Sequence, residues 1–267
     1  MAACAYCGKL ARNLTREHLL SASLHRNLRQ QQSQVFGSDQ IYYIARCERV
    51  IDAEPTVRDV CSDCNNGPLS ILDSYICELW DLHFRRIVEP DELVLFSYDY
   101  DLLTRWLLKV SYNSARVHAS DTVHLDTCRS YILEGGAVPD HVRVHLQLIS
   151  PSPLIGSEIQ IAAKIGYPLD RLEPSQIRIG HLGYPTPNGY GRLIRTVYLQ
   201  SYLFLIHLFP TTVPEEQRLD DLNSFRINMP HAQMLSRERH TLEVVCKGID
   251  VRETAFMDAR LPISTST

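Results

Sequence analysis

The sequence predicts an α+β protein of two domains, a small zinc-stapled unit at the N-terminus and a larger α+β unit with a mostly antiparallel sheet. Three observations carry this expectation. Two Cys-x-x-Cys pairs stand near the start, Cys4-Ala5-Tyr6-Cys7 and Cys61-Ser62-Asp63-Cys64. Apolar residues then recur at three- and four-residue steps over two long stretches, the period of helices. From residue 141 the period falls to two, as in His141-Val142-Arg143-Val144-His145-Leu146, the pattern of strands with one buried face.

The first element is the pair of cysteine knuckles. A two-residue gap folds each pair into a tight turn with both sulfurs on one side, so Cys4, Cys7, Cys61 and Cys64 supply the four soft thiolates of a tetrahedral structural Zn²⁺. A redox pair is the other reading of a Cys-x-x-Cys, but such pairs come singly and in a βαβ context. Between the knuckles lies Arg16-Glu17-His18-Leu19, and directly after the second comes Asn65-Asn66-Gly67, where Gly67 is expected to take a positive φ in a turn. A structural zinc has no open position, so any chemistry falls to the polar groups it gathers: Glu17, His18, Asn65 and Asn66. Each is unremarkable alone, and their order is what gives them weight.

The next stretch, His25 to Gln40, is polar and reads as a solvated loop with a glutamine run at 30–32. Residues 1–40 carry Lys9, Arg12, Arg16, Arg26 and Arg29 against Glu17 and Asp39, the one locally basic part of the first domain. Arg26 and Arg29 are therefore the candidates for gripping a phosphate backbone. Ile41–Ile44 reads as a strand. Pro68 suits the first turn of a helix, and Leu69, Leu72, Ile76, Leu79, Trp80, Phe84 and Ile87 form its apolar stripe. Asp73 flanks that stripe, either as an acid near a helix N-terminus or as a metal ligand. Cys77, Trp80 and His83 are expected to pack.

The order knuckle, Glu-His, spacer, knuckle, Asn-Asn resembles the HNH endonuclease family in its zinc-stapled form with the ββα-metal fold. Residues 1 to about 88 carry the resemblance. It implies a nuclease in which His18 is the general base, Glu17 and Asn65 hold a divalent cation, Mg²⁺ or Mn²⁺, and the four cysteines hold zinc. Asp73 stands where a variant of the family places a further acid. The family's middle Asn has no counterpart in Glu54-Pro55-Thr56-Val57-Arg58-Asp59-Val60, and the final His or Lys of many members is absent. The implied substrate is a phosphodiester, most simply double-stranded DNA, with RNA as the other candidate. Stand-alone members with an appended domain look like bacterial defence effectors. The rival reading is a catalytically inactive zinc-stapled adaptor that binds nucleic acid or protein.

A boundary is expected at the proline of Val88-Glu89-Pro90, giving domains 1–89 and 90–267. The second domain should open with helices at about 101–119 and 121–134, the latter stopped by Gly135-Gly136. Strands are expected at 141–148, 158–165, 176–182, 192–200, 202–209 and 240–246, and short helices at about 213–225 and 251–260. His141 and His145 share a strand face and read as solvated. This domain is a candidate for recognition, regulation or dimerisation, through a second copy or a partner protein.

Composition sets the outer limits. The chain has 267 residues, 45% hydrophobic and 22% charged, within the range of globular proteins. A net charge of −4 argues against avid non-specific binding to nucleic acid, whose affinity comes from displaced counterions. No long apolar run and no leader peptide are seen, and the clustered cysteines suit a reducing compartment, so a cytoplasmic protein is expected. Phosphate-binding glycine loops and Ser-His-Asp signatures are lacking.

Overall fold

The computed structural model of the chain describes residues 1–36, 42–44, 49–51, 55–118, 121–165, 169–175, 177–185 and 191–254. It is a mixed α+β protein with small antiparallel sheets, and it divides into two compact units. The division does not follow the break expected at residue 89. The first unit comprises 1–82, 101–138 and 155–169, and the second 83–100, 139–154 and 170–267. The proline punctuates the chain, but the apolar faces of the helices after it are used up by the knuckle unit.

In the first unit the initial knuckle sits between the short antiparallel strands Ala2–Ala3 and Leu10–Ala11. Gly8 turns the chain at φ +71°, and its N–H donates to the Cys4 carbonyl at 2.9 Å. Strand Thr15–His18 pairs antiparallel with Thr56–Val60, with an irregularity between Thr15 and Glu17. The second knuckle follows at once and enters a helical run: Ser62–Cys64, a wide turn Asn65–Leu69, the helix Ser70–Leu79 and a second wide turn Trp80–Phe84. Gly67 has φ −101° rather than the positive value expected, and Pro68 lies in the wide turn instead of opening the regular helix. Leu69, Leu72, Ile76, Leu79 and Trp80 are buried as the periodicity predicts.

The polar stretch after His18 is a helix, Ala22–Phe36, and not a loop. Ser21 caps it, its hydroxyl accepting the Leu24 N–H at 3.2 Å. Glutamine and arginine are good helix formers, and Leu24, His25 and Leu28 are buried at steps of one and three or four. Tyr42–Ile44 pairs with Arg49–Ile51, while Ile41 lies outside the described residues. The long helix Tyr100–His118 is buried along most of its length, and Thr122–Asp126 and Arg129–Glu134 follow it before Gly135 at φ +74°. Residues 158–165, expected as a strand, form the helix Ser157–Ile165. The alternation of Ile159 and Ile161 is misleading because both are exposed. A local cap decides the matter: Glu158 Oε2 accepts the Ile155 N–H, and the Ile155 carbonyl accepts the Glu158 N–H, both at 3.0 Å.

The second unit is built on a five-stranded antiparallel sheet in the order Ile177–Pro185, Gly191–Leu199, Tyr202–Leu208, Val142–Leu148, Gln233–Met234. Helix Glu215–Asn228 covers one face, where Ile149, Ile194, Tyr198, Leu203, Leu205, Phe225 and Ala232 form a core. Phe84, Phe96, Tyr202 and Phe204 cluster on the other, with ring centroids 4.8 to 6.2 Å apart. The strand Leu93–Ser97, absent from the sequence reading, pairs with Thr241–Val245. Because both faces are covered, His141 and His145 are buried and not solvated as expected, the His145 ring lying 4.9 Å from that of His207. Of the helix expected at 251–260, residues 251–254 are helical and the rest lies outside the described residues.

Candidate functional site

The four knuckle cysteines converge. Their sulfurs lie within 4.8 Å of one another, and all four thiols are free of disulfides. Cys7 and Cys61 Sγ are 3.8 Å apart, and a tetrahedron of Zn–S bonds of about 2.3 Å has an edge of about 3.8 Å. The Cys61 N–H points at Cys4 Sγ at 3.3 Å. Burial opposes ionisation of Cys4, but N–H groups of Cys61, Cys7 and Tyr6 outweigh it and bring the thiol down to about 7. Burial and the neighbouring thiols push Cys64 up. Four converging thiols with no disulfide among them fit a dication, which would ionise all four. These residues suit a structural metal such as zinc.

The clasp fastens the knuckles to the paired strands and to the long helix. The Ala5 N–H donates to the Asp59 carbonyl at 2.9 Å, and the Ala5 carbonyl accepts from Tyr112 Oη and Arg129 Nη1, each at 3.1 Å. Tyr6 meets Tyr112 edge to face at 5.2 Å, and the Arg116 guanidinium lies over both rings. Asn65, directly after the last cysteine, turns its amide onto the first strand. Its Nδ2 donates to Thr15 Oγ1 at 2.9 Å and to the Arg16 carbonyl at 3.0 Å. The strand carrying Glu17-His18 is thereby tied to the start of the helical run.

Glu17 and Asp73 meet, but over a lysine. Lys109 Nζ, from the helix Tyr100–His118, is 2.8 Å from Glu17 Oε1 and 2.7 Å from Asp73 Oδ2. The Lys109 side chain is 1% exposed and that of Glu17 3%, whereas Asp73 retains 26%. Trp106 Nε1 donates to the other Asp73 oxygen at 3.3 Å. Asn113 Nδ2 donates to the His18 carbonyl at 3.1 Å and reaches Glu17 Oε1 at 3.4 Å. The amide is oriented by two donors on its oxygen, Tyr6 Oη at 2.6 Å and Arg116, which also pairs with Asp59. Burial holds the Tyr6 phenol well above its usual range, so it stays neutral and keeps its proton for that bond.

The cation site expected from Glu17, Asn65 and Asp73 is therefore not assembled here. Both acids are engaged by Lys109, while the bonds of Asn65 to the strand use its amide nitrogen and not the oxygen by which an amide ligates a cation. Among the described residues, the four thiols are the only group of three or more Cys, His, Asp or Glu side chains drawn closely enough together to hold a metal. His18 is half-buried, with its ring 6.3 Å from that of His25, which is fully buried. Arg26 and Arg29 lie on the helix Ala22–Phe36 rather than in a loop. Arg26 is exposed and bonds Ser23 Oγ at 2.7 Å, and Arg29 is partly buried. Asn66 offers its carbonyl to Ser70 Oγ at 3.0 Å.

Sequence reasoning missed Trp106, Lys109, Asn113 and Arg116. They recur at steps of three, four and three, one stripe of a helix, and the apolar residues between them drew attention to the other faces. The signal was a lysine and an asparagine inside a helix too apolar all round to be a surface one. Elsewhere Cys77 packs its sulfur 3.7 Å from Ser21 Oγ, Trp80 is core, and the His83 ring is buried with Nε2 near the backbone of Ser97. Among the described residues, no helix is long and apolar enough to cross a membrane. No family model, curated protein or solved structure matches the chain.

Proposed function

We propose that the first unit is a nuclease module of the HNH type that hydrolyses phosphodiester bonds, most simply in DNA, with His18 as the base that activates water. The observation that carries this reading is the junction made by Asn65, whose amide ties the residue after the clasp to the strand bearing Glu17-His18. A half-buried imidazole can act as a general base, and such help is worth about 10²–10⁴-fold. Arg16, exposed beside Glu17, is a candidate for contact with a phosphate oxygen. Arg26 and Arg29 are the further candidates for the nucleic-acid backbone. In the resembled family a divalent cation supplies the charge at the transferring phosphate. The acids expected to hold it contact Lys109 here and do not fit that role, so no step passes through such an ion.

The Lys109 contacts favour a second reading, a zinc-stapled adaptor without catalysis, in which Glu17 and Asp73 are only structural. One experiment separates them. Zinc-loaded full-length protein and its His18→Ala variant are incubated with supercoiled plasmid and with RNA, with and without added Mg²⁺ or Mn²⁺. The nuclease reading expects cleavage that the substitution reduces at least a hundredfold at unchanged zinc content and circular dichroism. Equal cleavage by both proteins, or none on any substrate under any condition, overturns it.

A further inference from the structure

The two acids approach each other from different elements, Glu17 from the strand Thr15–His18 and Asp73 from the helix Ser70–Leu79. Each has an oxygen within 2.8 Å of one point, and that point is the Lys109 ammonium. We infer that Lys109 is the resident cation of this acidic pair: its ammonium stands between the strand carboxylate and the helix carboxylate where a divalent ion would otherwise bind, and makes the pair a positioning device for the His18 strand. The inference rests on the triad's geometry and holds whether or not the module is a nuclease.

Three features support it beyond the two distances. The Lys109 side chain is almost wholly buried, and a buried ammonium persists only where its charge is matched. Each acid also accepts from a neutral donor suited to a bound cation's carboxylates, Trp106 Nε1 on Asp73 and Asn113 Nδ2 on Glu17. The same Asn113 amide holds the His18 carbonyl, so the group that buttresses Glu17 also fixes the backbone of the candidate base. Lys109 acts through these contacts as a positioning residue. With the cation built into the helix, the pair has no need of a free divalent ion, and adding one should not change its state.

The test reads metal binding and not cleavage. Zinc-loaded full-length protein, its Glu17→Gln variant and its Lys109→Ala variant are titrated with Mn²⁺ and followed by electron paramagnetic resonance, with melting temperatures measured in parallel. The wild type should hold no Mn²⁺ at the pair. Lys109→Ala should gain one Mn²⁺ per chain, and its melting temperature should rise with Mn²⁺ while that of the wild type stays still. Mn²⁺ bound by the wild type and lost in Glu17→Gln would overturn the inference, as would a folded Lys109→Ala protein that takes up no Mn²⁺. Should Lys109→Ala fail to fold, the comparison of wild type with Glu17→Gln still decides.

Discussion

Replacing Lys109 by Met removes the ammonium from between two carboxylates and leaves Glu17, 3% exposed, with a charge it cannot take to water. Removing one partner of a buried ion pair costs about 3–5 kcal/mol, because the surviving charge is left uncompensated. For a chain of this size each kcal/mol lowers the melting temperature by about 2–4 °C, so the expected drop is roughly 6–20 °C. The assay is intrinsic fluorescence during thermal unfolding. Excited selectively, the two tryptophans, Trp80 and Trp106, both buried in the first unit, report on that unit. The triple variant Lys109→Met, Glu17→Gln, Asp73→Asn should recover most of the loss, since a buried ion cluster replaced whole is often close to neutral in stability. A Lys109→Met loss below about 1 kcal/mol, the level of a surface pair, would refute the reasoning that the Lys109–Glu17 pair is dry.

Further predictions touch the clasp, the amide and the second unit. Cys61→Ala should abolish zinc binding and unfold the first unit, checked by zinc stoichiometry and tryptophan fluorescence, because the metal's binding energy is folding energy there. Asn113→Leu should cost about 1–3 kcal/mol by leaving the Tyr6 hydroxyl and the His18 carbonyl without their buried partner, which urea unfolding would measure. Burial, with help from Arg192 and Arg226, depresses His145 to about 4. The unfolded chain binds this proton from about pH 6.5 downward and the folded chain only below about 4, so stability is full above 6.5 and falls across that window. From His145 alone the loss should reach about 2 kcal/mol by pH 5, and His145→Gln should remove that share of the pH slope in chemical denaturation.

Much of this architecture was legible because local rules and tertiary packing agreed. The four cysteines announced the clasp, and the stripe from Leu69 to Trp80 announced the helix behind it, since a chain that buries one face must repeat its apolar residues at the helical period. Where the reading failed, a non-local partner had decided the outcome. Ser157–Ile165 alternates like a strand, yet Glu158 closes a cap at its start and Ile159 and Ile161 face solvent. His145 looked solvated because one strand cannot reveal that a helix lies over its polar face. The paired acids illustrate the same limit: Glu17 and Asp73 were expected to face a divalent ion, but the cation they contact is Lys109, 36 positions beyond Asp73 on a helix assigned to the other domain.

The central claim is that the zinc clasp places a working base on the strand Thr15–His18. It is tested most directly by titrating zinc into the metal-stripped chain while following DNA cleavage. Cleavage should rise with added zinc and level off at one ion per chain. Equal cleavage by the stripped and the zinc-loaded protein would contradict the account.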